Sequence, residues 1–138
     1  MKDSLYHTIS YVSTSINLSD RDVNELLTIT KLKNEELGIT GILMHSEQNF
    51  FQIIEGETKT IKNLYKKIEK DIRHFNLIKI FDKPIDIPSF KTFQSSYTVI
   101  NKEKNYSELQ SFLESEKNHN PENFKNISYI ANKFMKLY

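Results

Sequence analysis

Cysteine is absent from the 138 residues, which excludes disulfides, thiolate metal sites and thiol nucleophiles. Tryptophan is absent too, so the aromatic complement is seven tyrosines and nine phenylalanines. Only three glycines are present, too few for a glycine-rich loop around phosphates; GITG at residues 38–41 reads instead as a helix stop entering a strand. Neither sign of charge dominates. Nineteen Lys and Arg against 18 Asp and Glu leave +1, which gives no global electrostatic case for nucleic acid or an anionic membrane as partner. No apolar run approaches the roughly 20 residues needed to cross a bilayer, and the first residues lack the apolar stretch of a secretory leader. The expected location is cytoplasmic. The four histidines, His7, His45, His74 and His119, are scattered without metal-ligand spacing, so no metal site is expected.

What is present is ordinary globular material, 38% hydrophobic and 27% charged, long enough for one domain with a short appendage. Residues 5–13 mix β-branched and aromatic side chains with polar ones near-alternately, as a half-buried strand does. Residues 20–37 place Val23, Leu26, Leu27, Thr30 and Leu32 at helical spacing behind the candidate N-cap Ser19, and Gly38 supplies a stop tolerant of positive φ. Two β-favouring runs, 39–45 and 50–54, joined by SEQN, predict an antiparallel hairpin. Ile61, Leu64, Tyr65, Ile68 and Ile72 predict a second amphipathic helix over 58–72. Further strands are expected at 77–81 and 93–100, separated by KPIDIPS, whose two prolines continue neither element. The order is βαββαββ. Each helix is apolar on one stripe, so both belong on one face of a mixed or antiparallel sheet, an α+β layering. Beyond residue 101 the composition turns polar, with two weakly amphipathic stretches around KNHNP. Residues 1–101 are expected to form the domain and 102–138 a C-terminal helical extension serving output or oligomerisation.

Four fragments stand out against this order: YVS at 11–13, NEELGITGIL at 34–43, FFQIIEG at 50–56 and DIRH at 71–74. Taken together, over about the first 100 residues, they resemble the BLUF family, sensors of blue light using FAD. The resemblance implies a ferredoxin-like sheet with the isoalloxazine ring of a flavin between the two helices. It implies Tyr11 as electron donor and hydrogen-bond partner of a switching glutamine, Gln52. Asn34 matches the position that bonds the polar edge of the ring, and Asp71, Arg73 and His74 match a segment near the chromophore. The cofactor implied is FAD, and the ring-contacting residues do not choose between FAD and FMN.

An isoalloxazine ring is a flat apolar body with a hydrogen-bonding edge. Ile29, Leu32, Ile61 and Leu64 are the expected walls, and Asn34, Gln52 and Arg73 the edge partners. A phenol can give an electron and then a proton to a light-excited flavin without forming an adduct. The missing cysteine rules out a cysteinyl adduct, and the missing tryptophan leaves only Tyr6, Tyr65 and Tyr97 as rivals to Tyr11. A glutamine amide has one acceptor end and one donor end, so turning it reverses the pattern it offers. Where many family members carry tryptophan and, two residues on, methionine, this chain has Ser96 and Thr98, which puts output coupling on a hydroxyl instead of a thioether.

Without the resemblance, plainer readings stand beside these. Tyr11 is then a packed strand aromatic, Asn34 serves a helix end, and Asp71 with Arg73 forms a local surface ion pair. Gln52 is buried and in need of partners if Phe50, Gln52 and Ile54 share the inner face. The expected function is a photoreceptor and no enzyme, acting as a homo-oligomer on a downstream protein through the 102–138 segment or the exposed sheet face. The alternatives are a light-insensitive interaction module with a decayed flavin site, and an acylphosphatase-like enzyme with Arg73 holding phosphate.

Overall fold

The computed structural model describes residues 5–86, 97–101, 106–119 and 121–133. In chain order these form β1 (Tyr6–Ser15), α1 (Asp20–Glu36), β2 (Thr40–Ser46), β3 (Asn49–Glu57), α2 (Thr58–Glu69), β4 (His74–Ile85), β5 (Tyr97–Asn101), α3 (Tyr106–His119) and α4 (Pro121–Lys133). The five strands make one mixed sheet in the order β4-β1-β3-β2-β5, antiparallel except where β5 runs parallel to β2.

Local chemistry sets the ends of α1. The Ser19 hydroxyl accepts from the Asp22 N–H at 3.1 Å while the Asp22 carboxylate accepts from the Ser19 N–H, a reciprocal cap. At the other end Gly38 adopts φ +71, and the N–H groups of Gly38 and Ile39 donate to the carbonyls of Glu35 and Asn34. α2 stops at Glu69, three residues short of expectation, because the Asp71 carboxylate takes the Arg73 N–H and turns the chain. Ile72 therefore stands outside the helix, 85% exposed.

The hairpin strands run further than expected and leave a two-residue turn, Glu47 and Gln48, at φ 52 and 67. That left-handed pair matches the twist of the flanking strands without the usual Asn-Gly. β4 is longer than expected and continues through Pro84, opposite His7. Among the described residues it is an edge strand, the place in a sheet where proline is tolerated. Within β2, Gly41 sits at φ 149, and a Cβ there would lie 2.0 Å from the Ile53 carbonyl oxygen, so only glycine fits.

Strand alternation divides the core into two layers. Ile9, Tyr11, Leu43, Ile54 and Tyr97 face one side and pack under Val23 and Leu27 of α1 and Ile61 and Tyr65 of α2. Ile42, Met44, Phe51, Ile53 and Ile100 face the other and pack with Leu113 of α3 and Ile127 and Ile130 of α4. The first two helices thus share one face, as expected, and the C-terminal helices lie on the face left open as a contact surface. Among the described residues no helix is long and apolar enough to cross a membrane.

Candidate functional site

Register brings the photoactive candidates together. Tyr11 of β1 lies directly opposite Gln52 of β3, which lies opposite Leu43 of β2, so the side chains of all three emerge on the α1/α2 face. The Tyr11 hydroxyl donates to Gln52 Oε1 at 2.5 Å, with both residues buried. The other end of the amide is also held: Gln52 Nε2 donates to the hydroxyl of Tyr97 on β5. Sequence reading had Tyr97 only as a rival electron donor. Its role as the second partner of Gln52 has no local sequence signal.

Between α1 and α2 a cavity of about 430 Å³ opens onto this pair. Its size falls in the range of small-molecule sites, roughly 300–1,000 Å³. Leu26, Ile29, Thr30, Lys33, Asn34 and Leu37 line one side, Leu64, Lys67, Ile68, Asp71, Arg73 and His74 the other, with Tyr11, Leu43, Phe50 and Gln52 at the floor. Two expected wall residues are elsewhere. Leu32 turns to the outer side of α1 and is 59% exposed, and Ile61 is fully buried in the core, where it packs on Gly56. Leu26 on one side and Leu43 and Phe50 at the floor are apolar lining residues that sequence reading missed; their spacing marked them as apolar without saying they bordered a cavity.

Asn34 borders the cavity. Its backbone carbonyl, not its side chain, serves the end of α1, and its buried Nδ2 has no hydrogen-bond partner. A buried donor left open is costly unless something fills it. At the rim, Arg73 donates to the Asp71 carboxylate through Nε at 2.9 Å and Nη2 at 2.5 Å. That bond holds the Asp71 carboxyl below the usual carboxylate range against the opposing effect of burial. It also engages two of the three guanidinium nitrogens of Arg73. His74 Nε2 lies 2.8 Å from the Ile68 carbonyl and Nδ1 lies 2.7 Å from the Ser13 hydroxyl. A carbonyl only accepts, so Nε2 carries a proton, and Nδ1 shares its bond with the Ser13 hydroxyl.

Burial pushes the Tyr11 hydroxyl well above its ordinary value, with Tyr97, Tyr65 and Asp71 adding to the effect, so it stays protonated at neutral pH. Tyr65, edge-on to Tyr11 at 6.0 Å, is raised to about 12 by burial first. Ser96 lies outside the described residues. Thr98 pairs with Ile42 in the β2–β5 register, and its side chain is likewise outside the description.

This constellation has relatives. Residues 6–96 match the sequence profile of BLUF, sensors of blue-light using FAD. The chain belongs to that family, a class of flavin-binding light sensors. It is 32% identical over 60 residues to the blue light- and temperature-regulated antirepressor BluF of Escherichia coli (strain K12), a match covering 44% of this chain and 15% of that protein. The ground-state structure of BlsA is 28% identical with a TM-score of 0.60, covering 74% of this chain and 68% of that one. The structure of Klebsiella pneumoniae BlrP1 with FMN and cyclic diGMP, at 23% identity, shares the fold with a TM-score of 0.75 over 93% of this chain and 35% of that one. The residues lining the cavity fit the family's flavin: aliphatic walls for the ring, and an open buried Asn34 donor beside the Gln52 amide for its polar edge.

Proposed function

We propose that this protein is a blue-light photoreceptor holding FAD non-covalently, with the ring in the cavity between α1 and α2 and with Tyr11 and Gln52 as the photoactive pair. The observation that carries this reading is the 2.5 Å bond from a buried phenol to a buried amide, with both side chains bordering one cavity. Ile29 and Leu64 wall the ring, Asn34 and Gln52 meet its edge, and Asp71, Arg73 and His74 close the rim.

Bound flavin supplies a light-driven one-electron oxidant. With flavin bound, Tyr11 would give it an electron and its hydroxyl proton would move along the bond toward Gln52 Oε1, with both returning to Tyr11 once the charge recombined. While that bond is open the amide turns, and the end facing Tyr11 changes from acceptor to donor. The result is a shifted population of two hydrogen-bond arrangements, without turnover of a substrate.

The output passes to a downstream cytoplasmic protein from a homo-oligomer, with the 102–138 segment as the output or oligomerisation surface. This is supported by packing: Phe51 and Ile53, which flank Gln52, belong to the same apolar layer as Leu113, Ile127 and Ile130. The coupling assigned to Ser96 and Thr98 falls on the approach to β5 and on β5 itself, whose Ile100 joins that layer.

Absorption spectra of the purified protein before and after blue light test the reading. The expected result is a flavin spectrum that shifts to the red in light, reverts in darkness, and loses this response in Tyr11→Phe and Gln52→Leu. A colourless protein that takes up no added flavin, or a response that survives in both variants, overturns it.

A further inference from the structure

Gln52 is gripped by a phenol at each end of its amide. As arranged, Tyr11 O–H donates to Oε1 and Nε2–H donates to the Tyr97 oxygen. A phenol both donates and accepts, so the turned amide finds partners as well: Nε2–H to the Tyr11 oxygen, and Tyr97 O–H to Oε1. A thioether on the Tyr97 side would accept weakly in the first arrangement and offer nothing in the second.

Tyr97 is firmly placed to do this. It is fully buried in the layer beneath α1 and α2. Its strand pairs it with Gly41, and its backbone carbonyl accepts from Lys31 Nζ of α1 at 2.8 Å. Burial pushes its hydroxyl far above the ordinary value, opposed first by the Gln52 amide, so the proton needed for donation stays on the oxygen.

We propose that Tyr97 is a positioning residue for Gln52, accepting from its amide in the dark and donating to Oε1 after the amide turns, and that it thereby prolongs the lit arrangement. The proposal rests on the photoreceptor reading. Its direction follows from donor strength: a phenolic O–H makes a shorter bond to a carbonyl than an amide N–H makes to a phenol oxygen, and burial amplifies the difference. Removing the hydroxyl therefore costs the turned state more than the starting one.

Tyr97→Phe keeps the ring and removes the hydroxyl; Tyr97→Met replaces it with a weak acceptor. In flavin-free protein, one Gln52 side-chain NH₂ proton resonance is expected to move upfield in Tyr97→Phe, a change that packing alone does not produce. In flavin-loaded protein, dark recovery is expected to be about threefold faster in both variants, since each arrangement loses a bond and only the difference between the two counts. Unchanged amide resonances, or recovery that is unchanged or slower, overturn the proposal while leaving the photoreceptor reading intact if the wild-type protein still shifts in light. A wild-type protein without that shift sinks the photoreceptor reading and, with it, the lit-state role of Tyr97.

Discussion

On β3, Phe51 and Ile53 point to one face of the sheet and Gln52 to the other, and the two faces differ in kind. The side under α3 and α4 is an apolar layer with Met44, Phe51 and Ile100 fully buried. The side under α1 and α2 holds a cavity, two phenols on one amide and an unpartnered Asn34 donor. One face contributes stability by burial, and the other gives some up so that polar groups can meet a ligand. A two-residue period is what lets one strand serve both.

The contrast can be broken at several points. Gly41→Ala should be the most damaging change, at least about 4 kcal/mol in denaturant unfolding, because strain and a backbone clash strike the strand both layers share. Ile100→Ala should cost about 3 kcal/mol by the same measurement while leaving the dark flavin spectrum unchanged. Asn34→Ala should do the reverse: flavin-free stability within about 1 kcal/mol of wild type, but flavin affinity by titration about tenfold weaker, since Nδ2 has no hydrogen-bond partner among the described residues. Placing Asn-Gly at Glu47 and Gln48 should raise stability by about 1 kcal/mol, relieving two left-handed non-glycine residues far from either layer's function.

The smallest effect concerns pH. Burial lowers the His45 pKa from 6.5, partly opposed by Asp20, so the folded state prefers the neutral ring. As pH falls through 6.5 the unfolded chain takes up the proton first, and stability declines until the folded form is protonated as well. Unfolding midpoints of wild type and His45→Gln, compared at about pH 7.5 and 5.5, should converge on the acid side if this is right.

Much of the fold was readable because its signals are local. Ser19, Asp22 and Gly38 bound α1 through bonds spanning three or four residues, and the apolar stripe of α2 needs only its own period. Boundaries slipped where a side chain intervened, as at Asp71, or where strand context excused a residue, as at Pro84. Within the site, Ile29 and Leu32 of one helix were both expected as walls, yet only Ile29 reaches the cavity. Periodicity gives the direction of a stripe but not the place where its edge meets empty space.

By itself the sequence determined the order of elements, the β3 alternation that separates Gln52 from Phe51 and Ile53, and the fragments shared with blue-light sensors. Tertiary structure decided which hydroxyl meets the far end of the amide. Gln52 and Tyr97 stand 45 positions apart and come together through a parallel pairing of β5 with β2, a choice made by the whole sheet and written in no window of residues.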